Sequence, residues 1–243
     1  MTSLTRRYGM TVQPKRLYFV QRHPSLTREE FIPRWRQHGR LAMHFMARQD
    51  WANVARYVHC DALHDHGLAG IDQRWDGMGI VLFRDQEARR RHLGFAEARV
   101  ALEADEDAAF AQRVNRNGLV AREQLLRDGP SGGVKLVRVF KRRVGVSAPE
   151  FDRCWRDLHV PEAQGAFDQA LRRHAQNWPL APEHAGGWGL DCDVVEELWF
   201  ASVDALRGVA AGNPDAMQSS ALQRFAEQRL AIVVSELDLY AAA

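Results

Sequence analysis

Two rhythms alternate along the chain: short apolar stretches bounded by polar residues, and longer stretches with apolar positions three to four apart. The order of rhythms is run through twice. Lys15-Arg16-Leu17-Tyr18-Phe19-Val20-Gln21-Arg22 is echoed by Lys135-Leu136-Val137-Arg138-Val139-Phe140-Lys141-Arg142, an offset of 120. The same offset carries Thr27, Glu30, Phe31 and Trp35 onto Ser147, Glu150, Phe151 and Trp155. Further on the offset shrinks slightly: Asp76…Leu82-Phe83 matches Asp193…Trp199-Phe200, and Val120…Glu123 matches Val233…Glu236. Loop insertions and deletions in a diverged duplication produce such drift. The Gly-, Pro- and Ser-rich Arg127–Gly133 stretch lies between the copies and reads as a linker. The expected units are therefore 1–129 and 130–243.

Each copy reads β-α-β-β-α-β. Val137, Val139 and Phe140 favour a strand. Thr27-Arg28-Glu29-Glu30 and Ser147-Ala148-Pro149-Glu150 are capping boxes: the hydroxyl accepts from the N3 amide and the Glu reaches back to the N-cap amide. In the helices that follow, Phe31, Trp35 and His38 share a face, as do Phe151, Trp155 and His159. Pro33 predicts a kink or a late start in the first. Asn53–Cys60, Gly79–Phe83 and Val194–Phe200 read as strands. Asp85–Val114 and Val203–Leu230 read as helical regions broken near Gly94 and at Gly212-Asn213-Pro214. Leu119–Leu125 and Ala231–Tyr240 read as terminal strands. This is the ferredoxin-like split βαβ, an α+β unit whose sheet carries helices on one face only. Its bare face needs a cover. A second copy supplies one, so two antiparallel sheets are expected to pack as a pseudo-dimeric α/β barrel.

Composition narrows the classes. The chain has 243 residues, and 33 basic against 31 acidic side chains leave a net charge of +2. That gives no field suggesting nucleic acid or an anionic membrane as partner. No run approaches 18 apolar residues, so no membrane span is expected. Cys60, Cys154 and Cys192 form no CxxC pair or zinc spacing and read as free thiols. The start has no apolar run of a secretory signal. A cytoplasmic protein is the default expectation. P-loop, nucleotide fingerprint and GxSxG elbow are all missing from the sequence.

Arg142…Ser147-x-x-Glu150-Phe151-x-x-x-Trp155-Arg156-x-x-His159-x-Pro161 and Asp193–Phe200 resemble the EthD-like family of the dimeric α/β-barrel superfamily. The resemblance covers nearly the whole chain as two units in tandem. Copy one departs from it: His38 stands three residues after Trp35, not four, a shift of one residue or about 100° of helix rotation. The resemblance implies small-molecule work, since the superfamily includes cofactor-free monooxygenases, cyclases, dehydratases, isomerases and some haem enzymes.

Histidine chemistry is then the first candidate. His38 and His159, expected at helix C-termini over a sheet, suit general acid–base catalysis near neutral pH; a hydrogen-bonded structural histidine is the alternative. Tyr57 and His59 are two apart on a strand and so share a face, where a tyrosine beside a histidine can hold an oxyanion. Their copy-two counterparts are His174 and Gln176. Trp35, His44, His174, Gln176 and Trp178 are expected to contact substrate, although Trp35 and Trp155 also suit core packing. Trp51, Trp75 and Trp188 are further candidates for pocket walls. His64-Asp65-His66 lacks helical metal spacing and reads as a surface loop, so no metal site is expected.

The expected function is a cofactor-independent lyase or isomerase (elimination, dehydration or cyclisation) acting on a small apolar oxygenated or aromatic metabolite. A non-catalytic binding protein and a haem enzyme with a histidine ligand remain open alternatives. The internal duplication makes a monomer feasible, and a homodimer stays open.

Overall fold

The computed structural model of the chain describes residues 13–181, 189–217, 219 and 221–242. Its first half runs β1 (Pro14–Val20), α1 (Arg28–Ala47), β2 (Val54–Ala62), β3 (Gly77–Phe83), α2 (Gln86–Leu93), α3 (Ala96–Ala109) and β4 (Gly118–Arg127). The second runs β5 (Val134–Arg142), α4 (Ala148–Cys154), α5 (Val160–Phe167), β6 (Arg173–Pro179), β7 (Val194–Phe200), α6 (Val203–Gly212) and β8 (Ala226–Ala241). The eight strands close into one antiparallel barrel, β1-β3-β2-β8-β5-β7-β6-β4. Each half contributes the ferredoxin-like order β4-β1-β3-β2 or β8-β5-β7-β6. The two sheets are joined at both edges, by β2 against β8 and by β4 against β6. Closure removes the edges that two open sheets would expose.

Strand alternation sorts side chains into layers. Leu17 and Phe19 of β1 point inward to a core completed by Val58, Met78, Ile80, Val137, Val139 and Ile232. Tyr18 and Val20 point outward to Phe31, Trp35 and Met46 of α1. In the second half, Phe140 and Val194 point outward to Phe151 and Trp155. One end of the barrel interior is ionic. Lys135 Nζ bonds Glu197 (2.6 Å) and Glu236 (2.8 Å), while Lys15 bonds Glu197 and Glu123. Lys15 and Lys135 are repeat mates, as are Glu123 and Glu236. Burial alone would lower both lysines, but the facing carboxylates more than reverse it and raise them above the usual range, so both are charged.

Both helices start at their predicted caps: Thr27 Oγ1 accepts from the Glu30 amide, and Ser147 Oγ from the Glu150 amide. α1 begins at Arg28 and runs through Pro33, so the expected late start does not occur. The break at Gly94 is present, as is the end of α6 at Gly212. The predicted helix to Leu230 is corrected. Residues from Ala226 onward are strand because they pair with β5, Arg142 opposite Ala226 and Val139 opposite Leu230. Ladder bonds outweigh the helical propensity of that stretch. Among the described residues no helix is long and apolar enough to cross a membrane.

Candidate functional site

The predicted site residues lie in the two outer layers, between helices and barrel, and not inside the barrel. Neither His38 nor His159 is at a helix C-terminus. α1 continues to Ala47, and helix continues past His159 to Phe167. A C-terminal dipole therefore acts on neither.

The one-residue difference in spacing has a structural answer. Trp155–His159 forms a π-turn between α4 and α5, closed by the Val160 N–H donating to the Trp155 carbonyl. The wider turn absorbs the extra residue. His159 comes to lie against Trp155, with ring centroids 4.2 Å apart. In α1 it is His59, from β2, that stacks on the matching tryptophan, Trp35, at 4.1 Å.

In the first half, His38 Nδ1 donates to Asp105 Oδ2 of α3 at 2.7 Å, and Arg34 clamps the same carboxylate at 2.7 and 3.1 Å. The hydrogen bond from His38, reinforced by Arg34, holds the Asp105 carboxyl down at about 2. Asp105 thus stays ionised and fixes the proton on Nδ1. His38 Nε2 has no hydrogen-bond partner among the described residues. An imidazole oriented this way carries its working lone pair on Nε2.

Tyr57 and His59 share the outward face of β2, as predicted, and are joined at 2.9 Å. Arg36 approaches His59 Nδ1 at 2.8 Å and also pairs with Asp61. A guanidinium only donates, so Nδ1 is the acceptor. Burial, then the nearby Arg36 charge, pushes His59 well below its usual value and keeps it neutral. Its single N–H is therefore on Nε2 and donates to the Tyr57 oxygen. The Tyr57 and Tyr18 hydroxyls lie 3.4 Å apart, and either can donate to the other. Burial raises Tyr18 to about 12 and Tyr57 well above its usual value, so both remain phenols. His59, with both nitrogens engaged, is not a base.

Sequence reasoning missed Tyr18, Glu106, Asp105 and Arg36. Glu106 of α3 is buried and accepts from the Val114 N–H at 3.1 Å. Burial pushes its carboxyl up against the pull of Arg16. The signal available for Tyr18 was its mismatch with Arg138 between repeats, beside a second mismatch of Arg16 with Leu136.

In the second half, Glu196 Oε1 accepts from His159 Nε2 (3.0 Å) and His174 Nε2 (2.9 Å), and Oε2 accepts from Arg138 Nε (2.9 Å). Burial alone would push the Glu196 carboxyl up; Arg138 and the two histidines hold it well below the carboxylate range. All four residues are at most 1% exposed. Gln176 is buried beside them, and Trp178, half-buried, packs on Phe151 and Trp155.

The structure does not bring the rest together. His44 is exposed on α1, its ring against Phe45. Trp51 stacks on Tyr240 and Trp75 meets Phe19 edge-on, while Trp188 lies outside the described residues. His64 and His66 both bond Gln73. A cleft of about 380 Å³ between Gly70–Arg74 and the start of β8 contains none of the predicted site residues.

Residues 23–113 match the family model of the EthD domain. No curated protein matches the sequence. Solved structures share the architecture. An anthrone oxidase-like protein is 13% identical over 96% of this chain and 99% of its own, with a TM-score of 0.54. A mutant chlorite dismutase from Candidatus Nitrospira defluvii is 10% identical over 94% and 92%, TM-score 0.53. A haem-binding protein from Thermus thermophilus is also 10% identical over 94% and 92%, TM-score 0.52. By fold the chain is a dimeric α/β barrel closed within one polypeptide, and the stretch that matches the EthD model lies in its first half.

The haem-binding relative makes the fit of a haem a question for the side chains. Around His159 they do not fit one. Its Nε2 is committed to Glu196, and its Nδ1 is buried without a partner. Trp155 and Phe140 flank the ring, and the residues around it expose almost no surface. A macrocycle there would have to displace the aromatic layer.

Proposed function

We propose that the chain is a proton-transfer enzyme of the lyase or isomerase kind, acting without a cofactor on a small oxygenated or aromatic molecule. The working layer lies between α1, α3 and the first-half strands. The carrying observation is the His38–Asp105 pair: an ionised carboxylate fixes one imidazole nitrogen and leaves the other free. His38 Nε2 takes a proton from a carbon next to a carbonyl. The C–H electron pair becomes the C=C of an enolate as the carbonyl becomes C–O⁻. The proton then returns to another carbon, or a leaving group departs, completing isomerisation or elimination. The EthD match over residues 23–113 supports work on a small molecule.

The test is deuterium incorporation from heavy water into a panel of small enolisable ketones and hydroxyaromatic compounds, followed by NMR. The native chain exchanges a C–H position in at least one of them. His38→Gln lowers that rate by about 10²–10⁴-fold with little change in folding stability. No exchange with any compound, or equal exchange in the variant, overturns the reading.

A further inference from the structure

The layer between α1 and the first-half strands is closed, and part of its cover comes from the other half. β8 pairs with β5 as far as Ser235 and with β2 from Val234 to Ala241. Leu237–Ala241 therefore overhangs β5 and lies on β2 by one edge, with no strand along its other edge among the described residues. Within that tail the ladder slips. Tyr57 stands opposite Tyr240 and Val58 opposite Asp238, which leaves Leu239 unpaired. A bulge re-aims the extra side chain. Leu239 Cδ1 comes to lie 2.8 Å from where a Cβ on Gly39 would stand, and His59 Cε1 lies 2.9 Å from the same point. Gly39 of α1 has no side chain, so the leucine fills the gap between helix and strand beside His59. His59 is fully buried and Leu239 half-buried, so solvent meets the leucine and not the imidazole.

The same bulge recurs in the other half. β4 overhangs β1 and lies on β6, and the slip between Leu125 and Arg127 leaves Leu126 unpaired. The match of Val120…Glu123 with Val233…Glu236 carries Leu126 onto Leu239. The two tails are held differently. Past its bulge the β4 tail is tied by Arg127 Nη1 to the Asp168 carbonyl at 2.8 Å and by Asp128 to Arg173 at 2.7 Å. The β8 tail has an exposed ion pair, Asp238 with Arg56 at 2.6 Å, and a half-buried stack of Tyr240 on Trp51, ring centroids 3.8 Å apart. An exposed ion pair contributes little. Asp50 and Trp51 have φ of 50° and 56°, in the left-handed region, so the stack rests on a strained turn. One-sided pairing, few buried contacts and exposed ties are the marks of a segment that opens locally.

We propose that the β8 tail, Leu237–Ala241, is the gate of the first-half layer. Unzipping from β2 withdraws Leu239 from between Gly39 and His59 and opens the buried layer to a small molecule. Re-pairing seats the leucine again and shuts out water. Each half would then be covered by a tail of the other, with the first-half cover the one that moves. That the molecule admitted is a substrate rests on the proton-transfer reading; the movement of the tail does not.

Amide hydrogen exchange of the full chain reads the movement: Leu237–Ala241 exchange about tenfold or more faster than Leu230–Val234 of the same strand. Diethyl pyrocarbonate, which carbethoxylates accessible imidazoles, reads the access by peptide mapping. His38, buried next to Gly39, reports the layer, and exposed His44 on the same helix is the internal control. Arg56 and Ala241 stand directly opposite each other. Cα atoms so placed are about 4.5–5.5 Å apart, within disulfide reach. Oxidation of the double variant Arg56→Cys, Ala241→Cys therefore locks the tail. It slows tail exchange and His38 modification about tenfold or more and leaves His44 unchanged, and reduction restores both. Gly39→Ala, whose methyl wedges against Leu239, speeds both. Tail amides as protected as Leu230–Val234, or His38 modification indifferent to the lock, overturns the proposal. If the lock protects His38 while deuterium uptake by the ketones and hydroxyaromatic compounds is absent or unchanged, the gate stands and the proton-transfer reading falls. A urea midpoint of the reduced double variant close to the native one shows that altered access is not altered folding.

Discussion

The row Tyr18–Gly79–His59 and the row Arg138–Glu196–Gln176 occupy matching positions on the two halves of one barrel, each facing its own helices. Their chemistry differs in kind. The first is neutral, with a large phenol over a glycine. The second is a buried ion cluster in which one carboxylate answers a guanidinium and two imidazoles. Once both copies sit in one chain, each layer is free to solve burial in its own way. The first is built of neutral hydrogen bonds between phenols and an imidazole, while the second gathers its strongest donors on one buried carboxylate.

The largest expected effect is at Glu196. Replacing it with Ala leaves Arg138 buried without a counter-charge and both imidazoles without their acceptor. Removing one partner of a buried ion cluster costs about 3–5 kcal/mol, readable as a fall in the urea midpoint. A loss under about 1 kcal/mol would contradict the balanced-cluster account. Next is the reciprocal change in the first half. In Gly79→Ala the new Cβ lies 2.0 Å from Tyr18 Cζ, so the ring or the ladder must shift. Overpacking of this sort costs about 1–3 kcal/mol. Shortening the ring in Tyr18→Ala, Gly79→Ala should recover part of what the methyl costs relative to Tyr18→Ala alone. If the methyl costs the same in both backgrounds, the two positions are not a size-matched pair.

Much of this architecture was legible in the sequence because its signals are local. The N-caps at Thr27 and Ser147, the break at Gly94 and the strand at Val194–Phe200 each depend on a few neighbouring residues, although the Glu of the second box does not reach back. The repeat then pointed to the barrel without any long-range contact being known. What escaped were features defined by partners far along the chain. Ala226–Leu230 reads as helix in isolation and is a strand because of β5. Lys15, Lys135 and Glu197 look like surface charges, yet they meet inside the barrel from three separate strands. Sequence chose the histidines but not their roles. Arg36 disqualifies His59 as a base, and Asp105, 67 residues from His38, is what orients that imidazole. The EthD match, too, falls on residues 23–113, where the tryptophan–histidine spacing departs from the motif, and not on the half whose spacing follows it.

Acidification separates the two layers with the smallest effect and the clearest sign. In the first half, burial and the nearby Arg16 charge depress His92 to about 4, and His59 also lies well below its usual value. An unfolded histidine titrates near 6.5. Between that value and the folded one, the unfolded chain holds the extra proton, so stability is full above about pH 6.5 and falls as pH drops toward 4. From pH 6.5 to 5.5 His92 alone accounts for about 1 kcal/mol. In the second half Glu196 has the opposite chemistry. Its folded value lies below the usual carboxylate value near 4.3, so its contribution persists until pH falls beneath that. Amide hydrogen exchange at pH 5.5 against pH 7 should therefore show protection falling first in α1, α2 and α3, with α4, α5 and α6 following only in stronger acid. His92→Asn should flatten the stability curve between pH 6.5 and 5.5 and leave the loss below pH 4 in place. Equal loss of protection in both layers at pH 5.5 would mean that the neutral first-half row and the ionic second-half row are not distinguished by the protons they hold.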